Sequence, residues 1–412
     1  MRIRGAWRVQ SIVRQMIMHA NRRSDYRALS RKIHQLTFAV IEKARQKSLR
    51  YAERLRIASA PYGQYRYKEG NEPPLLYSSI YAALLRHLLG DLGNLTAEHR
   101  NQWIAYINGF QCEDGLFRDP QVSNDIAEKE DWWGWRHLTM HALMALRCLG
   151  GHPETSMRFL EMLDSPDKVS RWLAELDWGC RVAFTSNTVQ NYCAAMQYAR
   201  DYMGETCLKE PISCMLSGVA ERCDSMSGLW GKGIDDPRIA LSEKVQAGYH
   251  FWLLFWYDGL QIPFPKCAFS SILKLQNSLG GFGLTQLNTS ACQDIDGLDP
   301  IVRIALEEPD LLITAKKPVE RAARWILSNF NEDGGACFQQ NETFVYGHNL
   351  MSTTVNQSSL FATWFRMLSL GIACQLLNES NKTFRHISWN FVNAPGLQFE
   401  PGRIKVAIYN EN

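Results

Sequence analysis

Apolar residues recur every three or four positions along most of the chain and almost nowhere in strict alternation, so the pattern predicts helices rather than strands. Residues 96–110, 266–277 and 317–330 read as amphipathic helices with one apolar stripe. A second set is apolar over most of its surface: 77–89, 137–149, 187–203, 240–257, 296–306 and 355–370. Six buried helices alternating with more polar ones describe two concentric layers, an all-α (α/α)6 toroid.

Between the two sets a short turn pattern repeats: a polar residue, three others, glycine, one more and often an aromatic. It reads Gln111-CED-Gly115-Leu-Phe117, Asp224-SMS-Gly228-Leu-Trp230 and Gln276-NSL-Gly280-Gly-Phe282, with looser copies at Glu175–Gly179 and Asn331–Gly335. A period of about one helical hairpin is the mark of a repeat fold. The polar side chain suits a helix cap and the ring suits packing beside it, so Gln111 and Gln276 read as structural.

These turns resemble the QW-type repeats of the terpenoid cyclase and protein prenyltransferase superfamily, over roughly residues 70–376. The resemblance implies a toroid and isoprenoid chemistry. It divides the chain into a basic helical extension (1–65), the toroid (66–376) and a C-terminal segment packing on it (377–412).

Composition narrows the classes. The 412 residues are 46% hydrophobic and 21% charged, ordinary for a globular protein and far from a disordered one. The strongest apolar run, Phe251–Tyr257, is far too short to span a bilayer. Eleven cysteines without a CxxC pair indicate a reducing compartment, the cytoplasm, with buried thiols. The net charge of +3 hides an asymmetry, because residues 1–56 hold 15 Lys/Arg against three acids. A basic amphipathic helix there suits peripheral contact with an anionic membrane, and equally a solvated helix packed on the body or an Arg-rich targeting segment. The body is acidic, so nucleic acid is not expected as a partner.

Candidate chemistry gathers where the apolar helices begin, since those N-termini would face one cavity. Asp294, Asp296 and Asp299 (DIDGLD) crowd three carboxylates within six residues, which raises at least one pKa and keeps an acid protonated near neutrality. The run resembles the DxDD acid motif of class II terpenoid cyclases. That resemblance makes Asp296 the proton donor and Asp294 its neighbour, with Gly297 where the motif's last Asp belongs. Asp299 or His348 would tune the acid. Helix capping or a cation- or sugar-binding cluster would also account for these acids.

For substrate contact the candidates are Trp132, Trp133, Trp135 and Trp230 as cation-shielding rings, and Arg136 or Arg238 as a phosphate clamp. Asp235 and Asp236 beside Arg238, and His137, Tyr346, Asn349 and Asn356, complete the set. Ion pairing, capping and plain packing are their alternative roles. No resident cofactor or metal ligand set is expected, and Mg²⁺ enters only if the substrate is a diphosphate. The set Asp333, Cys337 and His348 has the wrong spacing for a prenyltransferase zinc site. The reading is an isoprenoid-handling enzyme, a class II-like terpenoid cyclase with a hydrophobic substrate. The alternatives are a carbohydrate-active hydrolase or lyase and a non-catalytic lipid- or protein-binding toroid.

Overall fold

A computed structural model describes residues 36–231, 237–283, 288–380 and 387–402. These residues are mostly helical, with only two-residue strands: Ala336–Cys337 pairs antiparallel with Ser358–Ser359, and Phe344–Val345 with Ser352–Thr353. The basic stretch 1–35 and the candidates Asp235 and Asp236 lie outside the described residues, as does the Arg238 side chain.

The α-helices are α1 (Phe38–Leu55), α2 (Leu76–Leu88), α3 (Ala97–Asn108), α4 (Asp125–Lys129), α5 (Trp135–Leu149), α6 (Pro166–Glu175), α7 (Val182–Tyr202), α8 (Lys209–Ala220), α9 (Pro237–Tyr257), α10 (Pro265–Leu273), α11 (Ala291–Glu307), α12 (Leu312–Leu327) and α13 (Leu360–Ser380). The six apolar helices expected from the pattern are α2, α5, α7, α9, α11 and α13, with shifted ends. The last starts at Leu360 rather than 355, because residues 352–359 are used by the short strands. Each apolar helix packs on the next in chain order, and α13 packs back on α2. The more polar α3, α8, α10, α12 and α1 each bridge two successive members of that cycle, and α6 lies on α8.

Local chemistry fixes the helix starts. Thr96 accepts the His99 amide at the head of α3, and Ser290 with Gln293 forms a capping box at the head of α11. The apolar stretch Leu360–Asn378 of α13 is long and apolar enough to cross a membrane, but it is 94% buried within the fold. Its charged residue Arg366 has no exposed surface and bonds Asp294. α13 is therefore a core helix here.

The turns lock each hairpin to the following one. The Gln111 side chain accepts the Glu154 and Thr155 amides at 2.8 and 2.9 Å and donates to the Thr155 carbonyl. Gln276 donates to the carbonyls of Gly280 and Pro318. Phe117, Trp230 and Phe282 are buried in the core. The turn glycines are needed twice over at Gly280 (φ +108°) and Gly334 (φ +90°): the backbone is left-handed, and an added Cβ would come within 2.3 Å of the Arg321 carbonyl oxygen or 2.4 Å of the Lys47 carbonyl oxygen. Gly334 thus seats the last turn on α1. A further turn, bridged between Arg56 and Tyr65, follows α1, and its Gly63 (φ +107°) lies against the Trp103 ring of α3.

Residues 387–402 lie at the C-terminal ends of the apolar helices. The Asn390 amide bonds the Leu88 carbonyl, the Gln398 side chain bonds the Leu84 carbonyl, and Arg303 near the end of α11 bonds the Phe399 carbonyl.

Candidate functional site

Helix α11 carries the acids, and its geometry separates them. Cys292, Asp296, Asp299 and Arg303 stand at i, i+4, i+7 and i+11 and share one face, whereas Asp294 points elsewhere. The Asp294 carboxylate receives the Arg366 guanidinium of α13, the indole N–H of Trp325 (2.8 Å), the Thr289 hydroxyl (2.6 Å) and the Phe282 amide (3.0 Å). It has 1% exposure. These four donors make the Asp294 carboxyl a structural tie between α11, α12, α13 and the turn at 276–282.

Asp299 is likewise taken up. Its Oδ1 accepts Arg303 Nε at 2.7 Å in a pair with almost no exposure, and Arg303 also bonds the Phe399 carbonyl. This pair closes the face of α11 toward the C-terminal segment rather than tuning Asp296.

Asp296 differs from both. Among the described residues no hydrogen bond or ion pair reaches its carboxyl, and it keeps 5% exposure inside the fold. Burial, then the neighbouring Asp294, then Glu243 of α9, push its carboxyl well above the usual range. Burial also raises Glu243. Cys292, one turn earlier, is partly buried. Burial, then Asp296, push its thiol up. Pro300 removes the backbone N–H that would otherwise bond the Asp296 carbonyl.

Gly297 has a packing reason. An added Cβ would come within 2.3 Å of the Phe282 ring, so the position where the resembled motif has its last Asp is filled by the aromatic of the adjoining turn.

A second group assembles from α2, α5 and the loop at 344–348. His137 Nδ1 lies 2.9 Å from the Tyr77 hydroxyl, and His137 Nε2 lies 3.2 Å from the Tyr346 hydroxyl. Burial, then His141 and His250, push the His137 imidazole well below its usual value, so it is neutral. Tyr346 stacks on Phe361 at 4.3 Å and 7°, Tyr77 on Trp133 at 5.8 Å, and Tyr81 on Trp364 at 5.2 Å.

The structure brings together His137, Tyr346, Trp133 and Trp132, whose ring lies 6.1 Å from that of Tyr346. It sends the other expected residues elsewhere. His348 Nδ1 accepts the Leu350 amide and caps a short 3-10 turn at Asn349–Met351. Asn349 is exposed. Asn356 is exposed and left-handed (φ +58°), and it exchanges hydrogen bonds with Asn341. Arg136 is paired with Asp131 at 2.5 Å, which neutralises it as a phosphate clamp. Trp135 donates to Glu128, and Trp230 donates to the Val219 carbonyl while packing on Phe251 and Trp252. Their rings are core. Among the described residues no three His, Cys, Asp or Glu side chains gather as a metal ion requires.

Sequence reasoning missed Glu243, Cys292, Tyr77 and Tyr81. The i, i+4, i+7 spacing from Cys292 was readable; the approach of α9 and α2 to α11 and α5 was not.

No protein-family model matches this chain, and no curated protein matches it.

Proposed function

We propose that the cycle of six apolar helices is the inner wall of an α/α toroid and that the protein is an isoprenoid-handling enzyme, a class II-like terpenoid cyclase. The observation carrying this reading is Asp296: a buried carboxyl that meets no hydrogen-bond donor or cation among the described residues and that burial pushes well above the usual carboxylate range. A neutral acid without competing acceptors is what protonation of an alkene or epoxide requires. Phe361, Tyr346 and Trp133 supply ring faces that favour a carbocation over water. In this reading Asp294 holds α11 in register, Cys292 lines the chamber, and the Asp299–Arg303 pair with residues 387–402 shuts its far end.

The aromatic surroundings favour an oily substrate over a sugar, whose hydroxyls call for a polar groove. A diphosphate would require Mg²⁺ or free cations, and the described Arg136 is already paired. A cytoplasmic protein that touches an anionic membrane through residues 1–56 fits delivery of such a substrate.

The test is incubation of the purified protein with linear isoprenoid alcohols, epoxides, hydrocarbons and diphosphates, with and without Mg²⁺, beside an Asp296→Asn variant. The expected result is a cyclised product of unchanged mass that the variant does not form. No product, or equal product from the variant, overturns the reading.

A further inference from the structure

Where α9 and α11 end, the structure holds a cavity of about 230 Å³. Both helices bring their C-termini to it, at Tyr257 and Glu307, and a helix C-terminus carries a partial negative charge. Its wall includes Trp256 of α9, Leu260 just beyond, Arg303, Glu307 and Glu308, and Phe399 of the C-terminal segment.

Glu307 is the side chain without a counterpart. Its Oε2 accepts the Trp256 indole N–H at 3.0 Å, which fixes the carboxyl, and among the described residues no second donor and no cation pairs with it. Burial pushes this carboxyl up, the Trp256 bond and the Arg303 charge pull it down, and Glu308 adds to the rise; the net direction is up. The nearby cations are already engaged. Arg303 donates to Asp299 at 2.7 Å, to the Phe399 carbonyl at 2.7 Å and to the Glu400 carbonyl at 3.3 Å, and its guanidinium lies 4.2 Å from the centre of the Phe399 ring. Lys266 is shared between Asp310 at 2.8 Å and Glu308 at 3.5 Å. An anion would meet two helix ends and a carboxyl of its own sign, and a neutral molecule would leave that carboxyl unserved. A cation with a hydrocarbon body satisfies the carboxyl and the apolar wall together. Since a cavity of about 150 Å³ holds benzene, this one suits a body of about six to eight carbons.

We propose that this cavity binds a small organic ammonium ion, its nitrogen on the Glu307 carboxylate and its hydrocarbon body against Trp256, Leu260 and Phe399. The site is distinct from Asp296, which stands eleven residues earlier on the same helix, about 16 Å along its axis. It does not depend on the cyclisation reading. Because the ligand touches both helix ends, it ties α9 to α11 and raises the melting temperature of the fold as its concentration rises.

The test is calorimetric titration of the purified full chain with phenethylammonium and hexylammonium chloride, beside phenethyl alcohol and hexanol, which keep the shape and lack the charge. Each ammonium ion binds at least about tenfold more tightly than its alcohol, and Glu307→Gln loses about tenfold or more. The glutamine oxygen can still accept the Trp256 bond, and thermal melts check that the variant folds. Leu260→Trp, at an exposed wall position, fills the cavity without touching the carboxyl and also weakens binding. Glu308→Gln, whose carboxylate Lys266 already serves, changes the affinity less than Glu307→Gln does. No binding to the parent up to about 10 mM, equal affinity for alcohol and ammonium, or undiminished binding in Glu307→Gln overturns the proposal.

Discussion

Asp294 and Asp296 stand two residues apart on one helix, and only Asp294 meets a cation: Arg366 holds it, while Asp296 reaches no cation or hydrogen-bond donor among the described residues. Identical side chains in one short motif therefore divide into a hydrogen-bonded strut and an acid that burial pushes well above the usual range. The division follows from which face of α11 each occupies.

Asp296→Asn should gain stability over the parent as pH rises. A carboxyl whose folded pKa is raised contributes fully below its unfolded value, near 4, and loses that contribution as pH climbs through the folded value. The parent loses about 1.4 kcal/mol per pH unit across that window from this group, and the amide loses none. Urea denaturation of both proteins from pH 4 to pH 8 reads the divergence; parallel curves would show that Asp296 ionises freely.

Arg366→Met should cost about 3–5 kcal/mol, because it leaves the Asp294 charge buried without its cation and removes bonds to the Thr289 and Phe338 carbonyls. Adding Asp294→Asn to it should recover part of the loss. Denaturation midpoints of the two single variants and the double variant give the coupling.

His141 and His250 should make the fold acid-labile. Burial lowers them to about 4 and about 3, so both are neutral in the fold and gain protons more readily when unfolded. Their contribution is complete above about 6.5 and falls as pH drops toward those values, by about 3 kcal/mol for His141. His141→Asn should flatten the stability profile between pH 6.5 and pH 4, and an unaltered slope would contradict the burial of that ring.

Gly334→Ala should be far worse than Gly150→Ala. Both glycines are left-handed, but a Cβ at Gly150 meets nothing within 4 Å, while one at Gly334 meets the Lys47 backbone at 2.4 Å. The first change costs about 1 kcal/mol, and the second adds the displacement of α1. Thermal melts of the two variants measure the difference.

The helices were legible because the apolar stretches are long and periodic, and three turns because a glycine and an aromatic recur at fixed offsets. The turn at 56–65 escaped because it has Tyr65 two residues after Gly63 but no Gln or Asp four residues before it. The roles of Asp294 and His348 were hidden for different reasons. Arg366 is 72 residues from Asp294 and nothing local announces it. His348 serves an amide two residues away, a capping bond that its position before a short 3-10 turn permits. Asp299 with Arg303 four residues later was readable as an intrahelical pair.

The seating of Gly334 against Lys47 makes the order of synthesis matter. A chain emerging from the ribosome can stack its early hairpins one on another, but α1 lacks the neighbour for one flank until the segment around residue 334 has been made. Until then two unlike edges stay open, each offering apolar surface to any other nascent copy. Folding should therefore finish in one late step, and a chain stopped before residue 334 should be prone to association with its own kind.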